Sequence, residues 1–202
     1  MPGQFGEELV LDEVFAKDFV GTAIDVGACD GLFLNITYPL EQRGWTVLCI
    51  EPNPLYEPHL RKNRKLVQAV ACSDYEAEES DFTIVEMTEG QGYWSAVSAL
   101  RPNEEQMEAH RPLIRATQTV KVPVKRLESC IAEAKLQQVD LLSIDTEGED
   151  LKVLDGFNVA KWLPKCIMIE NWKDDSTFET YLRPYGYGAK VRLGVNDIFV
   201  RV

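Results

Sequence analysis

The sequence predicts an α/β fold in which helices cover a mainly parallel sheet. Short apolar segments alternate along the chain with segments of helical character. The first apolar segment, Thr22–Val26, runs into a turn that contains Gly27 and Gly31. The second, Thr46–Ile50, is followed directly by the acidic residue Glu51. A strand, a glycine-containing turn, a helix and a second strand closing on an acid form a nucleoside-binding unit in such folds.

Seven segments are predicted to be strands of one sheet with an antiparallel last strand, namely residues 22–26, 46–50, 66–71, 139–144, 166–169, 189–193 and 198–202. Helices are predicted between them, over residues 32–42, 55–64, 127–135, 151–155 and 176–182. Gly44 follows the first helix as a C-cap glycine, and Pro52 and Pro54 mark the turn into the second. Ser176 is the N-cap of the last helix. This order is typical of a Rossmann-like fold.

Residues 81–124 differ from the rest of the chain and are predicted to be an insertion. Two segments, 81–86 and 119–124, alternate apolar and polar residues as half-buried strands do. An excursion containing Tyr93 and Trp94 lies between them, followed by an acidic helix that ends at His110. Long excursions with glycines and aromatic residues are often lids or substrate loops. We therefore expect an inserted strand pair that carries a lid.

Composition limits the classes of partner. The 202 residues are expected to form one domain, residues 1–202, with 33 acidic against 21 basic residues and a net charge of −12. Binding to nucleic acid requires clustered positive potential, so nucleic acid is not an expected partner. No segment approaches the roughly 20 apolar residues that span a bilayer, so no membrane association is expected. Five cysteines without C-x-x-C spacing and the absence of a basic leader favour a cytoplasmic protein with free thiols.

The glycine turn does not match the dinucleotide fingerprint G-x-G-x-x-G, which requires glycine where Cys29 or Ala23 stands. The sequence from Asp25 to Gly31 instead reads D-x-G-x-x-x-G. This spacing is similar to the first motif of class I S-adenosylmethionine-dependent methyltransferases. An NAD-dependent or nucleotide-sugar enzyme is therefore the less favoured alternative.

Five motifs in order resemble the FkbM-type methyltransferases, a branch of the class I enzymes; they lie at residues 24–31, 50–54, 69–74, 120–127 and 140–156. The strongest reads I-D-T-E-G-E at residues 144–149, where the family shows I-D-x-E-G-x-E continuing through residue 150. The chain departs from the family at Ser143, where lysine is usual. It departs again at Trp172, where many members carry the histidine of E-x-H.

The resemblance implies S-adenosylmethionine as the cofactor. Gly27, Ala28 and Gly31 would form the loop beneath its methionine part, with backbone N–H groups available to the carboxylate. Asp25 would orient this loop or receive the cofactor's amino group. Glu51 would accept hydrogen bonds from both ribose hydroxyls.

The remaining cofactor contacts are implied after the second, third and fourth strands. Asn53 would border the adenine, and Ser73 and Asp74 would meet the adenine at its edge, with Asp74 accepting from the exocyclic amine. Asp145 would face the cofactor from the end of the fourth strand.

Methyl transfer to a hydroxyl requires alignment of the acceptor and removal of its proton. Asp145, Glu147 and Glu170 are the candidate catalytic residues, because they follow or end neighbouring strands where ligands meet such sheets. Asp145, Glu170 and Asn171 form an oxygen-only set that would suit Mg²⁺. The alternative is that Asp145 and Glu147 hydrogen-bond the cofactor, the loop or the acceptor without a metal.

The expected activity is transfer of a methyl group to a hydroxyl of a sugar or another small polyol-bearing molecule, so the expected partner is a small-molecule or glycan acceptor. The alternative from a different class is an adenosyl-binding module that has lost catalysis and acts as an interaction partner.

His59 is interpreted as a surface residue. His110 is placed outside the site, with entry into a closing site as the alternative. The basic run at residues 61–65 is interpreted as a solvated helix end.

Overall fold

The computed structural model describes residues 3–88 and 97–201 of the chain. It confirms a mixed α/β fold built on a central, mostly parallel sheet. The predicted excursion with Tyr93 and Trp94 lies outside the described residues, so the lid stays a prediction.

The strands in chain order are β1 (Thr22–Val26), β2 (Thr46–Ile50), β3 (Leu66–Gln68), β4 (Ala71–Cys72), β5 (Ala77–Met87), β6 (Ile114–Lys125), β7 (Leu141–Ile144), β8 (Cys166–Glu170), β9 (Tyr187–Leu193) and β10 (Asn196–Arg201). The helices are α1 (Glu7–Val14), α2 (Thr37–Gln42), α3 (Glu57–Asn63), α4 (Glu104–His110), α5 (Leu127–Glu133), α6 (Asp150–Asp155), α7 (Val159–Trp162) and α8 (Thr177–Leu182). Helices α1 and α7 were not predicted from the sequence.

The main sheet runs in the order β3-β2-β1-β7-β8-β10-β9. All its pairings are parallel except those of β10, which is antiparallel to β8 and to β9. The register places Val26 beside Ile50 and Ile144, and Ile144 beside Ile169. The strands β1, β2, β7 and β8 therefore end together, and the residues that follow them meet at one edge of the sheet.

Every residue of β1, β7 and β8 is buried, as expected for parallel strands covered on both faces. Neighbouring residues of one strand belong to different cores. Ile24 and Val26 pack with α5 and α6 on one face, whereas Ala23 packs with α1 and α2 on the other. This separation follows from the two-residue period of a strand. None of the described helices combines the length and the apolar composition needed to cross a bilayer.

The insertion forms a second sheet of three strands, in the order β4-β6-β5. The predicted pair is present as the long antiparallel strands β5 and β6, in which Phe82 lies opposite Val120. The predicted third strand, residues 66–71, is divided. Its first part is β3 of the main sheet, whereas Ala71 belongs to β4 and pairs with Val124 of β6.

The first predicted helix, residues 32–42, begins only at Thr37. The Asp30 carboxylate accepts hydrogen bonds from the backbone N–H groups of Leu32 and Phe33. Leu34 has a φ of +48°, which interrupts a right-handed helix. Because such side chains offer the backbone an alternative to helical hydrogen bonds, residues 29–36 form a loop instead. That loop covers one side of the site described below.

Candidate functional site

A cavity of about 560 Å³ opens at the edge where β1, β2, β7 and β8 end. Seven residues predicted from the sequence line it, namely Asp25, Gly27, Glu51, Asn53, Asp145, Glu147 and Glu170. Five others do not line it: Ala28, Gly31, Ser73, Asp74 and Asn171. The lining also includes residues of the N-terminal segment and of the insertion.

Gly27 joins the end of β1 to the end of β7. It has a φ of +88°, and a Cβ added there would lie 1.7 Å from the carbonyl oxygen of Asp145. The N–H groups of Gly27 and Ala28 both donate to the carbonyl of Ile50, at 2.9 and 3.2 Å. These two N–H groups are thus engaged within the fold, which corrects the prediction that they are available to the cofactor's carboxylate.

Asp25 stabilises the loop after β1. One of its carboxylate oxygens accepts hydrogen bonds from Asn35 Nδ2 at 2.8 Å and from Thr37 Oγ1 at 2.6 Å. The same oxygen lies 3.8 Å from Nη1 of Arg64, whose Nε pairs with Glu41 at 3.2 Å. Of the two roles predicted for Asp25, these contacts support orientation of the loop.

Arg64 is 4% exposed, although the basic run that contains it was interpreted as a solvated helix end. Its guanidinium also donates to the carbonyl of Gly31, at 3.1 Å. A Cβ at Gly31 would lie 2.6 Å from Cγ of Arg64. Gly31 therefore makes room for this arginine and does not line the cavity.

Glu51 is 5% exposed and faces the cavity from the end of β2. One carboxylate oxygen accepts from the N–H of Cys29 at 2.9 Å and the other from the N–H of Asn53 at 2.8 Å. A carboxylate oxygen can accept two hydrogen bonds, so both oxygens of Glu51 retain acceptor capacity for a ligand. Burial raises the pKa of Glu51 to about 7; the two backbone hydrogen bonds oppose the shift and the charge of Asp25 adds to it.

Asn53 supports the turn between β2 and α3, since its side-chain oxygen accepts from the N–H of Leu55 at 3.0 Å. Ser73 and Asp74 do not occupy the predicted position at an adenine edge. Ser73 is fully buried and donates to Glu149 at 2.7 Å, and Asp74 pairs with Lys152 at 3.0 Å. Ala71 and Cys72 of β4 line the cavity, but the two residues that follow are held by Glu149 and Lys152 and do not line it.

Asp145, Glu147 and Glu170 come together at the centre of this edge and are called the acid group below. One carboxylate oxygen of each lies within 4.8 Å of those of the other two. The amide N–H groups of Asn171 are engaged elsewhere: they donate to the carbonyl of Asp175 at 2.8 Å and to Asp197 at 2.6 Å. Glu147, which was not part of the predicted oxygen set of Asp145, Glu170 and Asn171, thus lies beside two members of that set.

The loop after β7 holds Glu147 in an unusual conformation. Its φ is +57°, and that of Gly148 is +120°. The Asp150 carboxylate accepts from the N–H groups of Thr146 and Gly148, at 2.9 and 3.3 Å. These bonds fix the loop, and with it the direction of the Glu147 side chain.

The acid group has unusual electrostatics. Burial, followed by the charges of neighbouring carboxylates, raises the pKa of Asp145 to about 7 and raises those of Glu147 and Glu170 as well. Asp145 is exposed to solvent and lines the cavity, whereas Glu170 is buried. Within residues 3–88 and 97–201, neither lysine nor arginine forms an ion pair with any of the three. The group therefore suits a positively charged ligand.

Helix α4 of the insertion brings two further residues to the cavity. Gln106 Nε2 donates to the Glu147 carboxylate, and the His110 ring lies 5.8 Å, between centroids, from that of Trp172. His110 lines the cavity, which favours the alternative in which it enters the site. The sequence does contain a signal: Asn103 caps α4, and Gln106 and His110 are four residues apart and thus share one helix face.

Comparison with known proteins agrees with the fold and the motifs. The family model described as the methyltransferase FkbM domain matches residues 25–188. "Methyltransferase 1" of Beauveria bassiana (strain ARSEF 2860) is 26% identical over an alignment of 185 residues, and the match covers 83% of this chain and 72% of that protein.

The crystal structure of methyltransferase FkbM from Methylobacillus flagellatus KT is similar in fold, with a TM-score of 0.56 and 12% sequence identity. The match covers 90% of this chain but 43% of that one, so this chain spans less than half the length of that relative. The family match extends from Asp25 at the end of β1 to Gly188 in β9 and includes the whole acid group. The chain belongs to the FkbM methyltransferase domain family.

Proposed function

We propose that this protein transfers a methyl group from S-adenosylmethionine to a hydroxyl of a sugar or another small polyol-bearing molecule. The charge of the cavity carries the choice of cofactor. The part of its lining that the structure describes includes seven carboxylates, those of Glu7, Asp25, Glu51, Asp145, Glu147, Glu149 and Glu170. No lysine or arginine is found in the described lining.

S-adenosylmethionine fits this distribution of charge. It carries a sulfonium and an ammonium group, which the acid group complements, and a ribose diol, for which Glu51 has acceptor capacity. A dinucleotide or a nucleotide sugar carries a pyrophosphate, which requires positive charge or free N–H groups at the turn. The N–H groups of Gly27 and Ala28 are already bonded to Ile50. Both observations favour the sulfonium cofactor over the phosphate-bearing ones.

The residues that line the cavity indicate which groups serve the cofactor and which serve the acceptor. The cofactor supplies an activated methyl group, so the protein needs to align the acceptor and take up its proton. Gly27 and Glu51 face the cofactor from the ends of β1 and β2. The acid group lies between the ends of β7 and β8, where it faces both the positive charge of the cofactor and the hydroxyls of an acceptor.

The affinity for S-adenosylmethionine is expected to rise with pH through about 7, where Glu51 and Asp145 lose their protons. Below that pH the carboxyls are protonated and attract the cation less, so binding releases protons and weakens as the pH falls. Because these pKa values are higher in the folded than in the unfolded chain, the free energy of unfolding of the ligand-free protein is expected to fall as the pH rises through 7. We expect at least about a tenfold loss of affinity from pH 8 to pH 6, which one linked proton suffices to produce.

Calorimetric titrations at pH 6, 7 and 8, each in two buffers of different ionisation enthalpy, measure both the affinity and the proton release. An affinity that stays constant from pH 6 to pH 8, with no dependence of the heat on the buffer, would contradict the assignment of the acid group to the cation.

The activity is tested with S-adenosylmethionine labelled in its methyl group and a panel of methyl hexopyranosides and free polyols. Transfer of label to an acceptor, lost in Asp145→Asn, supports the proposal. Cofactor binding without transfer to any member of the panel would favour the non-catalytic adenosyl-binding module.

Parallel reactions with EDTA and with Mg²⁺ test whether the acid group binds a metal ion. Activity lost in EDTA and restored by Mg²⁺ assigns a cation to the acid group. Activity retained in EDTA indicates that the acid group faces the positive charge of the cofactor without a metal.

A further inference from the structure

Among the described residues that line the cavity, one carries an imidazole, His110 at the end of α4. Its Nδ1 lies 2.9 Å from the carbonyl oxygen of Gln106, one turn earlier in the same helix. A carbonyl oxygen accepts hydrogen bonds only, so Nδ1 carries the hydrogen in the neutral imidazole. The other nitrogen, Nε2, then holds a lone pair and is a proton acceptor.

The surroundings fix the ring in this orientation. The ring of Trp172, which follows β8, contacts one side at 5.8 Å between centroids. Gln106, whose carbonyl holds Nδ1, is itself 4% exposed and fixed by its side-chain bond to Glu147. Gln106 thus contacts both groups: its side chain bonds Glu147 of the acid group, and its main-chain carbonyl sets the tautomer of the imidazole.

From this arrangement, and resting on the proposed function, we infer that His110 is the general base that accepts the proton of the acceptor hydroxyl. As the hydroxyl oxygen bonds to the methyl carbon, the carbon–sulfur bond breaks and its electron pair stays on sulfur. Nε2 of His110 takes the hydroxyl proton, so the products are a neutral thioether, a methyl ether and an imidazolium. The imidazolium returns its proton to solvent through the open cavity.

The acid group is less suited to this step than the imidazole. Asp145, Glu147 and Glu170 face the positive charge of the cofactor, which stabilises their ionised forms and lowers their basicity. His110 comes from α4 of the insertion and lines the same cavity, with its ring beside that of Trp172. Division of the two tasks, cation binding by the acids and proton removal by the histidine, follows from this placement.

The first test needs no acceptor. The protein has two histidines, and His59 is an exposed residue of α3 outside the cavity, so His59→Gln assigns the two sets of imidazole signals. Long-range ¹H–¹⁵N NMR of the full chain at pH 8 is expected to show hydrogen on Nδ1 and a bare Nε2 at His110. A spectrum with the hydrogen on Nε2 would overturn the inference whatever the protein's activity.

The second test separates the base from the fold and from cofactor binding. His110→Asn keeps an N–H donor for the Gln106 carbonyl but removes the proton acceptor. With an acceptor from the methyl hexopyranoside panel, its kcat is expected to fall about 100-fold or more, the usual worth of a general base, with KM and the affinity for S-adenosylmethionine little changed.

Free imidazole is expected to restore part of the rate of His110→Ala, and His59→Gln is expected to match the unmodified protein. A His110→Asn variant that retains its kcat would refute the role of His110 while leaving methyl transfer intact. Failure of the unmodified protein to bind S-adenosylmethionine would instead refute the proposed function, and the NMR result would remain readable.

Discussion

Replacement of Glu51 by alanine is expected to abolish measurable binding of S-adenosylmethionine and S-adenosylhomocysteine. Glu51 is the carboxylate with acceptor capacity at the end of β2, and it also holds the N–H groups of Cys29 and Asn53 on the two loops that border the cavity. A hydrogen bond to a charged group contributes about 1.5–3 kcal/mol. Loss of two such bonds to a ribose diol corresponds to at least about a 100-fold loss of affinity.

Calorimetry measures the affinity for S-adenosylmethionine, and the variants Glu51→Gln and Asp74→Ala serve as controls for Glu51→Ala. Glu51→Gln keeps one acceptor oxygen and is expected to bind with intermediate affinity. Asp74→Ala removes another carboxylate that follows a strand, but one that pairs with Lys152 outside the cavity, so its affinity is expected to equal that of the unmodified protein. Normal binding by Glu51→Ala would show that the ribose assignment is wrong.

Replacement of Gly27 by alanine is expected to cause the largest loss of stability of any single methyl added to the chain. The φ of +88° costs a side chain about 1–2 kcal/mol, and the Cβ would overlap the Asp145 carbonyl oxygen at 1.7 Å. Relief of that overlap requires β1 and β7 to separate at the edge where the cavity lies. We expect a loss of about 2–5 kcal/mol in the free energy of unfolding, strain and overpacking together.

Urea unfolding measures this loss, with Gly188→Ala as the matched control. Gly188 lies in β9, where an added Cβ meets no atom within 4 Å, so the free energy of unfolding is expected to change by less than about 0.5 kcal/mol. If Gly27→Ala unfolded at the same urea concentration as the unmodified protein, the close approach of the β1 turn to Asp145 would be refuted.

The parts of the site that were predictable are those encoded by adjacent residues. Gly27 and Glu51 directly follow buried strands, and parallel strands end at a common edge, so local patterns sufficed to bring them to one cavity. The same reasoning placed Asp145 and Glu170 beside each other.

The parts that sequence reasoning missed depend on distant partners. Arg64 is buried because Asp25 and Glu41, far from it in the chain, neutralise it. Ser73 is buried outside the cavity lining because Glu149, far from it in the chain, accepts a hydrogen bond from its hydroxyl.

The helix predicted from residue 32 gives way to a loop because Asp30 bonds the neighbouring backbone. His110 reaches the site through the docking of α4, which a helical pattern alone does not reveal.

The central claim is that an acidic cavity, whose described lining contains no lysine or arginine, binds a positively charged adenosyl cofactor. Calorimetric titration of the purified protein with S-adenosylmethionine, S-adenosylhomocysteine and NAD at pH 8 tests it most directly. The account predicts micromolar binding of both adenosyl ligands and none of NAD. Binding of NAD, or the absence of binding by either adenosyl ligand, would contradict it.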